Sequence, residues 1–158
     1  MAKVLLIVAP VDFRDEEAFE PKRALEERGV EVVVASRGTK VAKGKLGGEL
    51  KVDVELNDVQ VDEYDAVVFA GGPGARTYFD YQKARELAKQ AVEKGKVLAA
   101  ICIAPQILAR AGLLKGKRAT VWDGGDGKEI KLFGMFMDLN HRGYREGVIV
   151  MEMEFRMK

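Results

Sequence analysis

Residues 97–105 read VLAAICIAP, an apolar run that stops at Cys102 and reaches Pro105 three residues later. A short apolar run bounded by Gly95 and a proline reads as a strand buried on both faces. Proline suits the first positions of a helix, where its missing N–H has no intrahelical partner. Residues 104–111 therefore read as a helix. Between the two elements, Cys102 is expected at a sharp strand-to-helix turn, with its side chain pushed out over the sheet edge. Its thiol is expected to face a helix N-terminus, whose partial positive charge favours the thiolate.

The same alternation extends outward. Residues 3–9 (KVLLIVA), 30–36 (VEVVVAS) and 65–70 (DAVVFA) read as further buried strands. Residues 49–56 alternate polar with apolar, as a half-exposed strand in a hairpin or at a sheet edge does. Residues 75–94 read as one long amphipathic helix closed by Gly95, and residues 118–122 as another strand. Helical periodicity over residues 12–28 ends at Gly29, but Pro21 cannot donate to the Glu17 carbonyl. A short turn over residues 15–19 and a helix from near Pro21 are expected there. The fold class is α/β: a three-layer α-β-α sandwich around a mostly parallel, flavodoxin-like sheet. Chemistry in such sheets sits at the carboxyl ends of the strands, so residues 12–17, 71–75 and 102–103 should converge.

The totals narrow the function. With 26 basic and 25 acidic residues the net charge is +1, which leaves no strong field for nucleic acid or a membrane surface. No apolar stretch reaches the roughly 18 residues of a membrane span, and no signal-peptide layout is visible. Cys102 is the single cysteine, so no internal disulfide forms and a cytoplasmic setting is expected. Residues 1–158 read as one domain without repeat or linker, divergent or truncated after about residue 122. Beyond Trp122 come a loop-like segment, 123–127, and all the methionines except Met1. Residues 147–155 (GVIVMEMEF) still alternate like a strand.

Several residues carry chemistry. Cys102 reads either as a small core hydrophobe or, at its turn, as an exposed activated thiol. Gly71-Gly72-Pro73-Gly74-Ala75 makes a tight turn and gives a ligand access to the backbone. The N–H groups of Gly72 and Ile103 could together hold a developing negative charge. The segment lacks GxGxxG spacing and a Lys-Ser/Thr ending, so it is neither a dinucleotide fingerprint nor a P-loop. Glu16 reads as a solvated helix-start residue, whereas Glu17 could reach the Cys102 sulfur and titrate with it as a pair. His141 is the single histidine and reads as a surface residue. No cofactor is implied, and no Cys/His cluster suggests a metal. Trp122, Tyr78, Phe79 and Tyr81 either line a cleft or pack.

Residues 3–9, Glu17 with Pro21, residues 65–72, and Ala99-Ala100-Ile101-Cys102 with Pro105 together resemble the ThiJ/PfpI superfamily. That superfamily shares its fold with class I glutamine amidotransferase domains. Residues 112–116 (GLLKG) fit the turn after its elbow helix, and the resemblance covers residues 3–122. It implies that Cys102 is the nucleophile, Glu17 its acidic partner, and Gly72 and Ile103 the oxyanion hole. It also implies a small carbonyl substrate or a peptide, and a homodimer or higher homo-oligomer linked to stress response. Protease-type members carry histidine directly after the cysteine; here Ile103 stands there, and residues 120–122 offer none. Loss of a general base costs about 10²–10⁴-fold in rate, which disfavours peptide hydrolysis more than attack on an aldehyde. The reading is a cysteine hydrolase or a glyoxalase/deglycase-type protein. The alternative is a non-catalytic oxidation-sensing or chaperone-like oligomer using Cys102 as a reactive thiol. The final helix of the family has no counterpart here, which would leave a sheet face free for self-association.

Overall fold

The computed structural model describes residues 1–117, 119–123 and 128. Among the described residues eight strands appear in chain order: β1 (Lys3–Ile7), β2 (Val11–Phe13), β3 (Glu31–Ser36), β4 (Val41–Gly44), β5 (Glu49–Lys51), β6 (Val54–Glu55), β7 (Ala66–Phe69) and β8 (Val97–Ala100). Three α-helices can be given ranges among the described residues: α1 (Asp15–Glu26), α2 (Gln82–Glu93) and α3 (Pro105–Arg110). Five strands make one parallel sheet, ordered β6-β3-β1-β7-β8. With the two-residue edge strand β6 set aside, the order of the rest is of the flavodoxin type.

The apolar runs explain the centre of this sheet. Leu5 of β1 pairs in register with Val67 of β7, which pairs with Leu98 of β8, and all three are fully buried. Strands covered on both faces by helices need no polar alternation. Strand β1 has β3 on one side and β7 on the other, so the chain reverses direction across the sheet there. A crevice opens at the carboxyl ends of the strands at such a point.

The half-exposed segment serves both purposes expected of it. Strand β5 pairs antiparallel with β4 in a hairpin, and β6 adds to the sheet edge beside β3. With β2 the hairpin forms a small second sheet, ordered β2-β4-β5. Asp15, buried at the start of α1, fastens it: Oδ2 accepts from the Leu46 N–H at 2.7 Å and Oδ1 from the Gly48 N–H at 2.7 Å.

Three expectations need correction. Helix α1 runs unbroken from Asp15 to Glu26 with Pro21 inside it. Proline there removes one backbone hydrogen bond, while buried Ala18 and the core contacts of Phe19 and Leu25 hold both halves on one axis. The long helix expected over residues 75–94 is instead a 3₁₀ segment, Pro73–Tyr78, followed by α2 from Gln82. Buried Tyr78 causes the break. Its hydroxyl donates to the Val8 carbonyl at 2.9 Å and accepts from the Arg37 N–H at 3.2 Å, anchoring the segment at the end of β1. Finally, residues 119–123 lie in no regular strand. Among them, the Trp122 N–H donates to the Cys102 carbonyl at 2.8 Å. The expected strand over residues 147–155, His141 and the methionine-rich segment lie outside the described residues.

Candidate active site

The loops leaving β1, β7 and β8 meet at the crevice. Cys102 follows β8 with φ +64°, a left-handed conformation that it shares with Asp12 (φ +57°) among the described non-glycine residues. Such a conformation costs about 1–3 kcal/mol and persists where surrounding structure enforces it. Here the enforcement is two-sided: Ile101 is paired to β7 through the Phe69 carbonyl at 3.3 Å, and Trp122 holds the Cys102 carbonyl. The thiol is half-buried.

Gly71 and Gly72 follow β7. The Gly71 carbonyl accepts from the Arg14 N–H at 3.0 Å, which stitches this loop to the one before α1. Gly72 has φ +92°, and a Cβ there would lie 2.3 Å from the Arg14 nitrogen, so glycine alone fits. Its N–H and that of Ile103 both face the Cys102 sulfur.

Glu17 lies in the first turn of α1, half-buried. Its Oε2 accepts from the Gly71 N–H at 2.9 Å, and its carboxyl group is hydrogen-bonded to the Cys102 thiol. Burial raises the Glu17 carboxyl above its ordinary value, against the lowering pull of Cys102, the Gly71 N–H and Arg14. Burial also pushes the Cys102 thiol up, to about 11, and the neighbouring Glu17 charge adds to the rise. The Gly72 and Ile103 N–H groups pull the other way without cancelling it. This corrects the expected thiolate. Helix α3 is six residues long and begins three residues beyond Cys102, so its field is weak at the sulfur, whereas desolvation and a carboxylate act on it directly.

The cleft above the sulfur has a volume of about 310 Å³. Glu17, Gly72, Cys102 and Ile103, the four residues singled out from sequence, all line it. Trp122 lines it too and is 40% exposed, whereas Tyr78 and Phe79 are buried in the core and Tyr81 packs against that core. Two lining residues carried no sequence signal: Arg14, before α1, and Arg76, in the 3₁₀ segment. Glu16 is exposed and pairs with Arg14, Oε2 accepting from Nε at 2.9 Å. Among the described residues, no three carboxylate, imidazole or thiol side chains are grouped to hold a metal ion. No helix among them is long and apolar enough to cross a membrane.

Comparison with known proteins decides the family. The model of the DJ-1/PfpI family matches residues 2–138. The chain belongs to the DJ-1/PfpI family. This match runs past residue 122, where the resemblance read from the sequence stopped. A relative in Methanocaldococcus jannaschii, an uncharacterized protein, is 47% identical over 122 residues, 77% of this chain and 60% of that protein. The match thus spans less than two thirds of that relative's length. A deglycase of Pyrococcus abyssi is 41% identical over 120 residues, 76% of this chain and 72% of that protein. The crystal structure of a ThiJ/PfpI domain protein from Brachyspira murdochii superposes with a TM-score of 0.80 at 32% identity, covering 94% of this chain and 82% of that one. The DJ-1/PfpI fold, a mostly parallel sheet flanked by helices, is the one described above.

Proposed function

We propose that this DJ-1/PfpI protein is a thiol-dependent enzyme of glyoxalase or deglycase type, acting on a small carbonyl compound. One observation carries the reading: Cys102, strained at the end of β8, has the Glu17 carboxyl group and the N–H groups of Gly72 and Ile103 all directed at its sulfur. In the resting state the proton stays on the thiol. As Sγ bonds to the aldehyde carbon, Glu17 takes that proton, so the thiolate never stands free. The carbonyl electron pair becomes an oxyanion facing the Gly72 and Ile103 N–H groups. With a 2-oxoaldehyde, Glu17 then gives the thiol proton to the oxyanion, which leaves a hemithioacetal and a free carboxylate. The carboxylate takes the proton from the attacked carbon and returns it to the adjacent carbonyl carbon, while the hemithioacetal hydroxyl proton moves to that carbonyl's oxygen. Water releases the resulting thioester as a 2-hydroxy acid. Aldehyde oxidation and ketone reduction balance within one molecule, and no external redox partner is needed.

The deglycase name of the P. abyssi relative supports the same class of chemistry. Peptide hydrolysis has less support, because Ile103 supplies no proton to an amine leaving group. Oxidation sensing also has less support, because burial holds the thiol in its less reactive form. The test is turnover of methylglyoxal to lactate by the wild type and by Cys102→Ala. Loss of turnover in the variant is expected; turnover that survives it overturns the proposal.

A further inference from the structure

The cleft carries an apolar wall that the proposed chemistry leaves unused. Of the large apolar side chains exposed among the described residues, Trp122 is the one that lines this cleft. No aromatic ring stacks on its indole among the described residues. Pro73, also exposed, lines the cleft with it. Both are fixed to groups that serve the reacting atoms. The Trp122 N–H donates to the Cys102 carbonyl at 2.8 Å, so the main chain that bears the indole is bonded to the main chain that bears the nucleophile. Pro73 follows Gly72, whose N–H faces the sulfur. Exposed apolar surface set among polar groups marks a ligand site, and Arg14, Glu17 and Arg76 supply the polar lining here. Wall and sulfur share one space of about 310 Å³, so the substituent of a compound attacked at Cys102 is what can cover the wall. Cavities of about 300–1,000 Å³ take ligands of drug size. Methylglyoxal brings only a methyl group and leaves the indole to water.

We propose that the cleft selects a 2-oxoaldehyde whose ketone carbon bears an aromatic ring, with the aldehyde at Cys102 and the ring packed on Trp122 and Pro73. The substrate class rests on the proposed carbonyl chemistry; the ring-binding wall does not. Phenylglyoxal has the required layout. A ring gains twice there: its faces leave water, and it pairs offset or edge-on with the indole. An aliphatic substituent gains only the first. Conversion of phenylglyoxal to mandelate consumes one water. Sγ bonds to the aldehyde carbon, the hydrogen of that carbon moves to the ketone carbon, and water breaks the S–C bond and restores the thiol. The aldehyde carbon is oxidised and the ketone carbon reduced, with no further reactant.

Alkylation of Cys102, the single cysteine, tests the wall without requiring turnover. N-phenyl iodoacetamide and iodoacetamide deliver the same reacting carbon and differ by the ring. Their rate ratio is independent of the thiolate fraction. Normalised to the same ratio for N-acetylcysteine, it should favour the phenyl reagent by about tenfold, the scale of one aromatic pair. Trp122→Leu should bring the ratio toward that of the small thiol, and Trp122→Phe, which keeps a ring, should retain most of it. Trp122 is also the single tryptophan, so its fluorescence reports this wall alone. Should Trp122→Leu fail to fold, wild-type fluorescence should change saturably with mandelate at concentrations where lactate leaves it unaltered. A wild-type ratio at or below that of the small thiol, a ratio that Trp122→Leu leaves unchanged, or equal responses to mandelate and lactate overturns the wall. Turnover separates the two proposals. In initial rates, Trp122→Leu should lower kcat/KM more for phenylglyoxal than for methylglyoxal. Equal losses remove the substrate preference and leave the glyoxalase reading. Conversion of neither, with the alkylation preference intact, removes the glyoxalase reading and the substrate class with it, and leaves a ring-binding cleft at the thiol.

Discussion

The Gly71 N–H donates to Glu17 Oε2 at 2.9 Å, and this bond holds the carboxyl group against the Cys102 thiol. Gly71 has no room for a side chain on that side: a Cβ would lie 2.4 Å from Oε2 and 2.6 Å from the Cβ of Cys102. The backbone after β7 is thus the spacer between acid and thiol.

Gly71→Ala should therefore push Glu17 off the sulfur. The backbone conformation is tolerable for alanine, so the protein should fold with a stability loss of about 1–3 kcal/mol from overpacking. Turnover of methylglyoxal should fall by about 10²-fold or more as proton transfer is misplaced. Thermal melts and kcat/KM on the same preparation separate the two effects.

The rate of Cys102 alkylation by iodoacetamide should rise through alkaline pH, with its midpoint near 11. Glu17→Gln deletes the carboxylate charge, one of the causes of the rise, and should move that midpoint down. A wild-type midpoint below about 7 would show that the amides outweigh burial.

The same carboxyl group should make stability depend on pH. Its folded value lies above the ordinary 4.5, so the folded protein holds that proton more tightly than the unfolded chain. This contribution is fully present below the unfolded value and is lost as pH rises through the folded one. Ionising Glu17 therefore costs the folded protein stability. Glu17→Gln should raise Tm near neutrality and change it little near about pH 4, as paired thermal melts would show.

Tyr78→Phe should cost about 1–2 kcal/mol, because the Val8 carbonyl and the Arg37 N–H each lose a buried partner. Denaturant unfolding with an unchanged m-value would confirm it. A neutral outcome would mean that Ser36, whose Oγ donates to the same Val8 carbonyl at 2.8 Å, suffices to hold that end of β1.

What the sequence disclosed follows from where each signal resides. Strands β1, β7 and β8 are short apolar runs, and an apolar run is visible locally, so the sheet and the meeting of Glu17, Gly72 and Cys102 at its edge could be read. Strand β2 could not: two of its three residues, Val11 and Asp12, are exposed, and its partner β4 lies about thirty residues on. The break before α2 is set by where the Tyr78 hydroxyl bonds, which no periodicity reports. The Cys102 thiol was misjudged for a related reason. The turn and the proline are local, whereas the desolvation that dominates the sulfur comes from the assembled cleft. Arg14 and Arg76 belong to different segments and come to line one cleft only through the fold.

The two donors at the Cys102 sulfur belong to the main chain, at Gly72 and Ile103. A donor of that kind survives replacement of the side chain attached to it. Any side chain at position 103, isoleucine or another, therefore leaves both main-chain donors in place, and what it alters is the wall of the cleft beside them.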